Sequence, residues 1–212
     1  MKHTFFIKDW LNSFLSLLFP HCCVVCGRPL AKGEECLCIM CNINLPRTNY
    51  HLRKDNPVER LFWGQIPLER ATSFFFYRKG SDFRQILHQL KYGGKKEVGI
   101  IMGRYMAAEL LDSGFFEGVD VIIPIPLHKK KQQIRGYNQS ECIVRGIAAV
   151  TGITVCVESV VRRKNTETQT RKSVFERWEN VDGIFELNHA DSLTGKHILI
   201  VDDVLTTGAT TI

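Results

Sequence analysis

Short unbroken apolar runs alternate along the chain with segments of helical periodicity. Ile198–Val201 carries four apolar residues with no polar alternation, the pattern of a parallel strand covered on both faces. Val119 to Pro126, V-D-V-I-I-P-I-P, is a second such run, and Thr154 to Val161, T-V-C-V-E-S-V-V, a third. Ala71 to Arg78, A-T-S-F-F-F-Y-R, adds a β-rich stretch. Between them Phe83, Ile86, Leu87 and Leu90 recur at helical spacing after Asp82, the predicted N-cap, and paired Gly93 and Gly94 end that helix. A second helix is predicted over Glu97 to Leu111, where Gly103, Ala107 and Ala108 are small enough for close packing on a sheet. A third begins after Asn138 as N-cap and carries Cys142, Ile143, Ile147 and Ala148. Apolar runs alternating with helices predict an α/β fold, a parallel sheet flanked by helices.

The amino-terminal part reads differently. Ile7, Trp10, Leu11, Phe14, Leu15 and Leu18 share one helical face, with Lys8, Asp9, Asn12 and Ser16 largely opposite, so an amphipathic helix docked on the protein is expected. Lys8 and Asp9 interrupt the apolar segment and no small-residue cleavage site follows, which argues against a secretory leader. The polar face carries too few basic residues for a membrane-surface helix. A cytoplasmic protein without an integral membrane segment is therefore expected. Asn42 to Leu68, with Pro46, Pro57, Pro67 and the charged L-R-K-D-N, reads as an irregular connection, dividing the chain into an amino-terminal module over residues 1–62 and a second domain over 63–212.

Of the eight cysteines in the 212-residue chain, six lie between Cys22 and Cys41. Cys23-x2-Cys26 and Cys38-x2-Cys41 form two knuckles separated by eleven residues, and Gly27 allows the turn that aims backbone N–H groups at sulfur. Four thiolates at this spacing describe a tetrahedral structural zinc site, with Cys22 and Cys36 as spare thiols. So short a segment has too few apolar residues to fold around reduced cysteines alone.

Chemistry concentrates where the last apolar run ends. Asp202 and Asp203 follow at the strand's carboxyl end, where open α/β sheets bind ligands, and can meet sugar hydroxyls or a metal ion. Thr206, Thr207, Gly208, Ala209 and Thr210 then form a small-residue turn whose hydroxyls and backbone N–H groups can cradle an anion. Carboxylates beside an anion cradle describe a ribose-phosphate site; neither G-x-x-x-x-G-K-[ST] nor G-x-G-x-x-G occurs. The net charge of +6 is uneven. Lys129, Lys130, Lys131 and Arg135 make the segment after Pro126 a basic loop on the ligand side. From Arg162 to Arg177 six basic residues face two acidic ones, a composition suited to a lid that closes over pyrophosphate or a nucleic-acid backbone, with Ser173 and Glu176 as a capping box at its end. Tyr137 and Phe175 are the nearest aromatic residues for stacking on bases.

The apolar strand, the acidic pair and T-T-G-A-T resemble the signature of the type I phosphoribosyltransferases. In that family the acids hold the ribose hydroxyls of phosphoribosyl pyrophosphate with magnesium, and the threonine loop holds its 5′-phosphate. More narrowly, the chain resembles the ComF family, associated with DNA uptake in natural competence. The resemblance rests on the four-cysteine module, Leu90-Lys91-Tyr92-x-Gly94, Pro124-x-Pro126-Leu127, Arg135-Gly136-Tyr137-Asn138-Gln139, the N-V-x-G-x-F turn from Asn180 to Phe185, and Val201 to Thr210. It implies ligand loops contributed by Lys91, Lys129, Lys130, Lys131, Arg135, Arg162, Arg163, Lys164, Gln169 and Arg171. It also implies a DNA-translocating helicase as partner, and the basic segments Lys129 to Arg135 and Arg162 to Arg177 make single-stranded DNA a candidate ligand. A further helix and at least one strand are expected beyond Ile212 from the same resemblance. The functional expectation is a phosphoribosyl-binding protein of DNA uptake; an active phosphoribosyltransferase releasing pyrophosphate and a structural adaptor using the zinc module are the alternatives. The sequence shows no acceptor pocket and no glutaminase domain.

Overall fold

The computed structural model describes residues 20–163, 184–188 and 190–206. The expected amino-terminal helix, the Ser173 and Glu176 capping box and Asn180 to Gly183 lie outside the described residues. In chain order the elements are α1 (Ile39–Ile43), α2 (Pro57–Arg60), α3 (Arg84–Tyr92), α4 (Lys96–Leu111), β1 (Val121–Pro124), α5 (Lys129–Arg135), α6 (Gln139–Thr151), β2 (Thr154–Val155), β3 (Val160–Arg162), β4 (Phe185–Leu187) and β5 (Ile198–Val201). They gather into two compact units. One holds the described part of Met1–Leu45 with Tyr77–Ile86; the other holds Pro46–Phe76 with the described part of Leu87–Ile212.

The second unit is a mixed α/β body around a parallel sheet of order β2-β1-β5. All four residues of β1 are buried, so the Val121–Pro124 run is the central strand. It pairs with β5 in the register Val121↔Ile198 to Pro124↔Val201. Side chains alternate between the two faces. Ile122, Leu199 and Val201 pack with Ala107, Val144 and Ile147 of α4 and α6, while Val121, Ile123 and Ile198 pack with Leu193 and Val160 on the other side.

Helices α4 and α6 cross closely because glycines meet backbone. A Cβ on Gly103 would lie 2.1 Å from the Ile143 carbonyl oxygen, and one on Gly146 would lie 2.0 Å from that of Ile100. Gly103 thus serves helix-on-helix contact, Ala107 packs against sheet residues as expected, and Ala108 is exposed.

Several expectations change in the folded chain. β5 was expected to be covered on both faces, yet Ile200 is 47% exposed and borders a groove of about 470 Å³ with Pro124, Pro126, Phe185 and Leu187. The run Thr154 to Val161 is two strands. Thr154–Val155 pairs with β1, the Cys156 N–H donates to the Ile122 carbonyl at 2.9 Å, and the chain then bends into the antiparallel β3-β4 pair. Ala71 to Arg78 makes only an isolated bridge between Phe75 and Arg47, with Phe76 N–H on the Pro46 carbonyl and Thr48 N–H on that of Phe74. Pro46 lacks a donor with which to extend the ladder. The presumed connection is also ordered by its own chemistry. Buried Asn56 accepts the Val58 and Glu59 N–H groups on its side chain, whose amide donates to the Tyr50, Arg53 and Ala71 carbonyls, while its backbone N–H donates to Glu59 Oε2 and completes a capping box. In the turn just before α3 the Ser81 side chain accepts the Phe83 N–H at 3.3 Å.

Candidate functional site

In the first unit, Gly27 at φ 74 and the Gly27 N–H on the Cys23 carbonyl form the first knuckle turn, and Cys38 caps α1, which carries Cys41. The sulfurs of Cys23, Cys26, Cys38 and Cys41 all lie within 4.8 Å of one another. Cys26 and Cys38 are 3.8 Å apart, matching the edge of about 3.8 Å that a tetrahedron with metal–sulfur bonds of about 2.3 Å requires. The Cys41 N–H donated to the Cys38 sulfur, joined by the Arg28 guanidinium, holds that thiol down to about 6. Buried Cys36 and exposed Cys22 stand outside the four. Glu34 accepts the Ala31 and Ile39 N–H groups, both at 2.7 Å, tying the loop before Cys36 to the start of α1. Arg28 and Glu34 had no signal in the cysteine spacing.

In the second unit, three distant segments meet at the carboxyl ends of β1 and β5. Lys91 Nζ, from the last turn of α3, donates to Asp203 Oδ1 at 2.9 Å. Ser140 Oγ, from the first turn of α6, donates to Asp202 Oδ1 at 3.1 Å, and the Asp203 N–H donates to the same oxygen at 2.8 Å. Asn138 is the N-cap expected, accepting the Ser140 N–H while its own amide donates to the Ile125 carbonyl. It therefore fixes α6 against the exit of β1, and with it Ser140. The Tyr137 hydroxyl donates to the Leu90 carbonyl at 2.6 Å, joining the same exit to the end of α3. Burial, then the Asp203 charge, pushes the Asp202 carboxyl up to about 6, against the pull of the Asp203 N–H, the Ser140 hydroxyl and the Lys91 charge.

The basic segment after Pro126 is a helix rather than a loop. His128 Nδ1 accepts the Lys130 N–H at its start, and Gly136 at φ 79 ends it. Lys129 and Lys130 are exposed and Lys131 is half-buried. Arg135 donates to Gln139 Oε1 at 2.7 Å and lies 5.6 Å from the centre of the Tyr92 ring. Arg162 and Arg163 belong to the β3-β4 ribbon rather than to a lid: Arg162 lies over Phe185, and Arg163 pairs with Glu186. The Arg162 guanidinium is held below its ordinary value by burial, with the Asp202 charge opposing. Thr206 is exposed, whereas Thr207, Gly208, Ala209, Thr210, Lys164, Gln169, Arg171 and Phe175 lie outside the described residues. Tyr137, expected as a stacking residue, has its hydroxyl engaged and its ring half-buried; Tyr92 is 71% exposed. Ser140 is the contact that sequence reasoning missed, since only the fold brings α6 beside Asp202.

No helix among the described residues is long and apolar enough to cross a membrane. No protein-family profile and no solved structure matches the chain. DNA utilization protein YhgH of Escherichia coli (strain K12) is 29% identical over 209 residues, spanning 92% of this chain and 88% of that protein. Competence protein ComFC of Bacillus subtilis is 24% identical over 199 residues, spanning 94% of this chain and 72% of that protein. Competence protein F of Haemophilus influenzae is 34% identical over 92 residues, which are 43% of this chain and 40% of that protein. Similarity along nearly its whole length to the first two of these relatives, with the four-cysteine cluster in place, supports a ComF family protein.

Proposed function

We propose that the second unit is a type I phosphoribosyltransferase-like domain that binds phosphoribosyl pyrophosphate, or a related phosphorylated ribose, with magnesium, in a cytoplasmic protein of DNA uptake. The supporting observation is the acidic pair at the end of β5, with each carboxylate held by a different helix: Asp202 by Ser140 and Asp203 by Lys91. Both bonds fall on the Oδ1 atoms, and no bond among the described residues falls on the Oδ2 atoms, which can accept from ribose hydroxyls or serve as oxygen ligands for magnesium. In this reading Thr206 to Thr210 take the 5′-phosphate, and Arg135 with the lysines of α5 takes the pyrophosphate. Magnesium, when bound, neutralises phosphate charge; the chain's own part is to orient the ribose and to counter that charge with Lys91, Arg135 and Arg162. Cys23, Cys26, Cys38 and Cys41 hold one structural zinc ion.

The relatives' names, which speak of DNA utilization and competence, support the DNA context. Single-stranded DNA as ligand and a DNA-translocating helicase as partner complete the proposal. Isothermal calorimetry with phosphoribosyl pyrophosphate and magnesium tests the pocket. Binding is expected, with at least tenfold loss in the Asp202→Asn, Asp203→Asn double variant; unchanged affinity in a folded double variant overturns the reading. Pyrophosphate release on adding an amine acceptor is the outcome that would make the protein a transferase.

A further inference from the structure

Tyr92 ends α3 just before the Gly93–Gly94 stop and is 71% exposed. Yet its surroundings are held firmly: Lys91 on one side is paired to Asp203, and the Leu90 carbonyl on the other receives the Tyr137 hydroxyl. The ring lies 5.4 Å from that of His88, one helical turn back, and 5.6 Å from the Arg135 guanidinium, itself held by buried Gln139. A flat, exposed aromatic ring on a fixed helix end is suited to stacking on a base, because every base offers a π-face and little ordering entropy is lost. The surrounding charge suits the phosphates. Lys95 and Lys96 follow Tyr92 in sequence, and Lys129 and Lys130 project from α5, the helix that carries Arg135; all four lysines are exposed. Glu97, on the first turn of α4, opposes this charge without reversing it.

We propose that Tyr92 is a stacking platform for a base of single-stranded DNA whose backbone follows Lys129 and Lys130. This rests on the reading that the protein handles single-stranded DNA, and replaces Tyr137 as the aromatic contact. The platform also accounts for sequence tolerance, because stacking with backbone attraction reads no base edges.

The test is fluorescence anisotropy with an oligothymidine and with an abasic strand of the same length, using the full chain. Tyr92→Ala should weaken oligothymidine binding about tenfold, equivalent to about 1.4 kcal/mol, and leave abasic binding and the salt slope unchanged. Tyr92→Phe should bind as the parent does. Alanine at both Lys129 and Lys130 should weaken both ligands alike and lower the salt slope by about 1.4, taking about 0.7 per contact. Equal loss on both strands in Tyr92→Ala, or no loss, overturns the platform. A parent protein that binds neither strand overturns both the platform and the DNA reading, while calorimetry with phosphoribosyl pyrophosphate on the same sample judges the pocket separately.

Discussion

Lys91 Nζ lies 2.9 Å from Asp203 Oδ1, a contact between residues 112 positions apart. The pair is largely withdrawn from water, with side-chain exposures of 24% and 13%. It joins the end of α3 to the end of β5, so the same lysine that resembles a ligand residue also holds an acidic residue of the site. Removing one partner of such a pair leaves a poorly solvated charge behind.

Lys91→Met should therefore destabilise the protein by about 1–2 kcal/mol, between the values for exposed and buried pairs. Urea unfolding monitored by tryptophan fluorescence measures it. If the midpoint does not move, solvent already screens the pair.

Asp202 predicts a pH signature. Its carboxyl, pushed up to about 6 in the folded chain, has an ordinary value of about 3.9 when unfolded. The folded state thus binds the proton more tightly, and the contribution of Asp202 to stability is fully present below about pH 4 and lost as the pH rises through about 6. Asp202→Asn removes that dependence, so stability measured from pH 4 to 7 should shift progressively in the variant's favour. Magnesium-dependent ligand binding in the parent should strengthen over the same rise. Parallel stability profiles would show that Asp202 titrates normally.

The sulfur geometry predicts one zinc ion per chain in protein purified under reducing conditions. Cys38→Ser should lose the metal and unfold the first unit while leaving the sheet of the second comparatively intact. Cys22→Ser and Cys36→Ala, outside the cluster, should keep one equivalent. Plasma mass spectrometry with amide hydrogen exchange distinguishes these results, and a folded, zinc-free parent would contradict the site.

The α4–α6 crossing should tolerate no added carbon. Gly146→Ala places a methyl group against the Ile100 carbonyl, which no rotamer change relieves, and should cost about 3 kcal/mol. Exposed Ala108→Ser, on α4 itself, should change stability by less than about 0.5 kcal/mol. Equal midpoints for the two variants would mean that the helices can move apart at little cost.

The sequence by itself determined the local features whose cause is local. The two cysteine knuckles, the Asn138 cap, the Gly93–Gly94 stop, a strand within Val119 to Pro126 and the α/β class follow from spacing and periodicity, because each depends on residues a few positions apart. The tertiary structure decided what depends on neighbours in space. An apolar run does not state whether its strand is central, so β5 and β1 looked alike until pairing placed β1 in the middle. Lysines repel in a bare chain and read as a loop, but His128 and Gly136 close them into α5. Most of all, Lys91, Ser140 and the acidic pair come from three segments that meet only once α3, α6 and β5 have packed. Their hydrogen bonds are consequences of topology, which no spacing along the chain encodes.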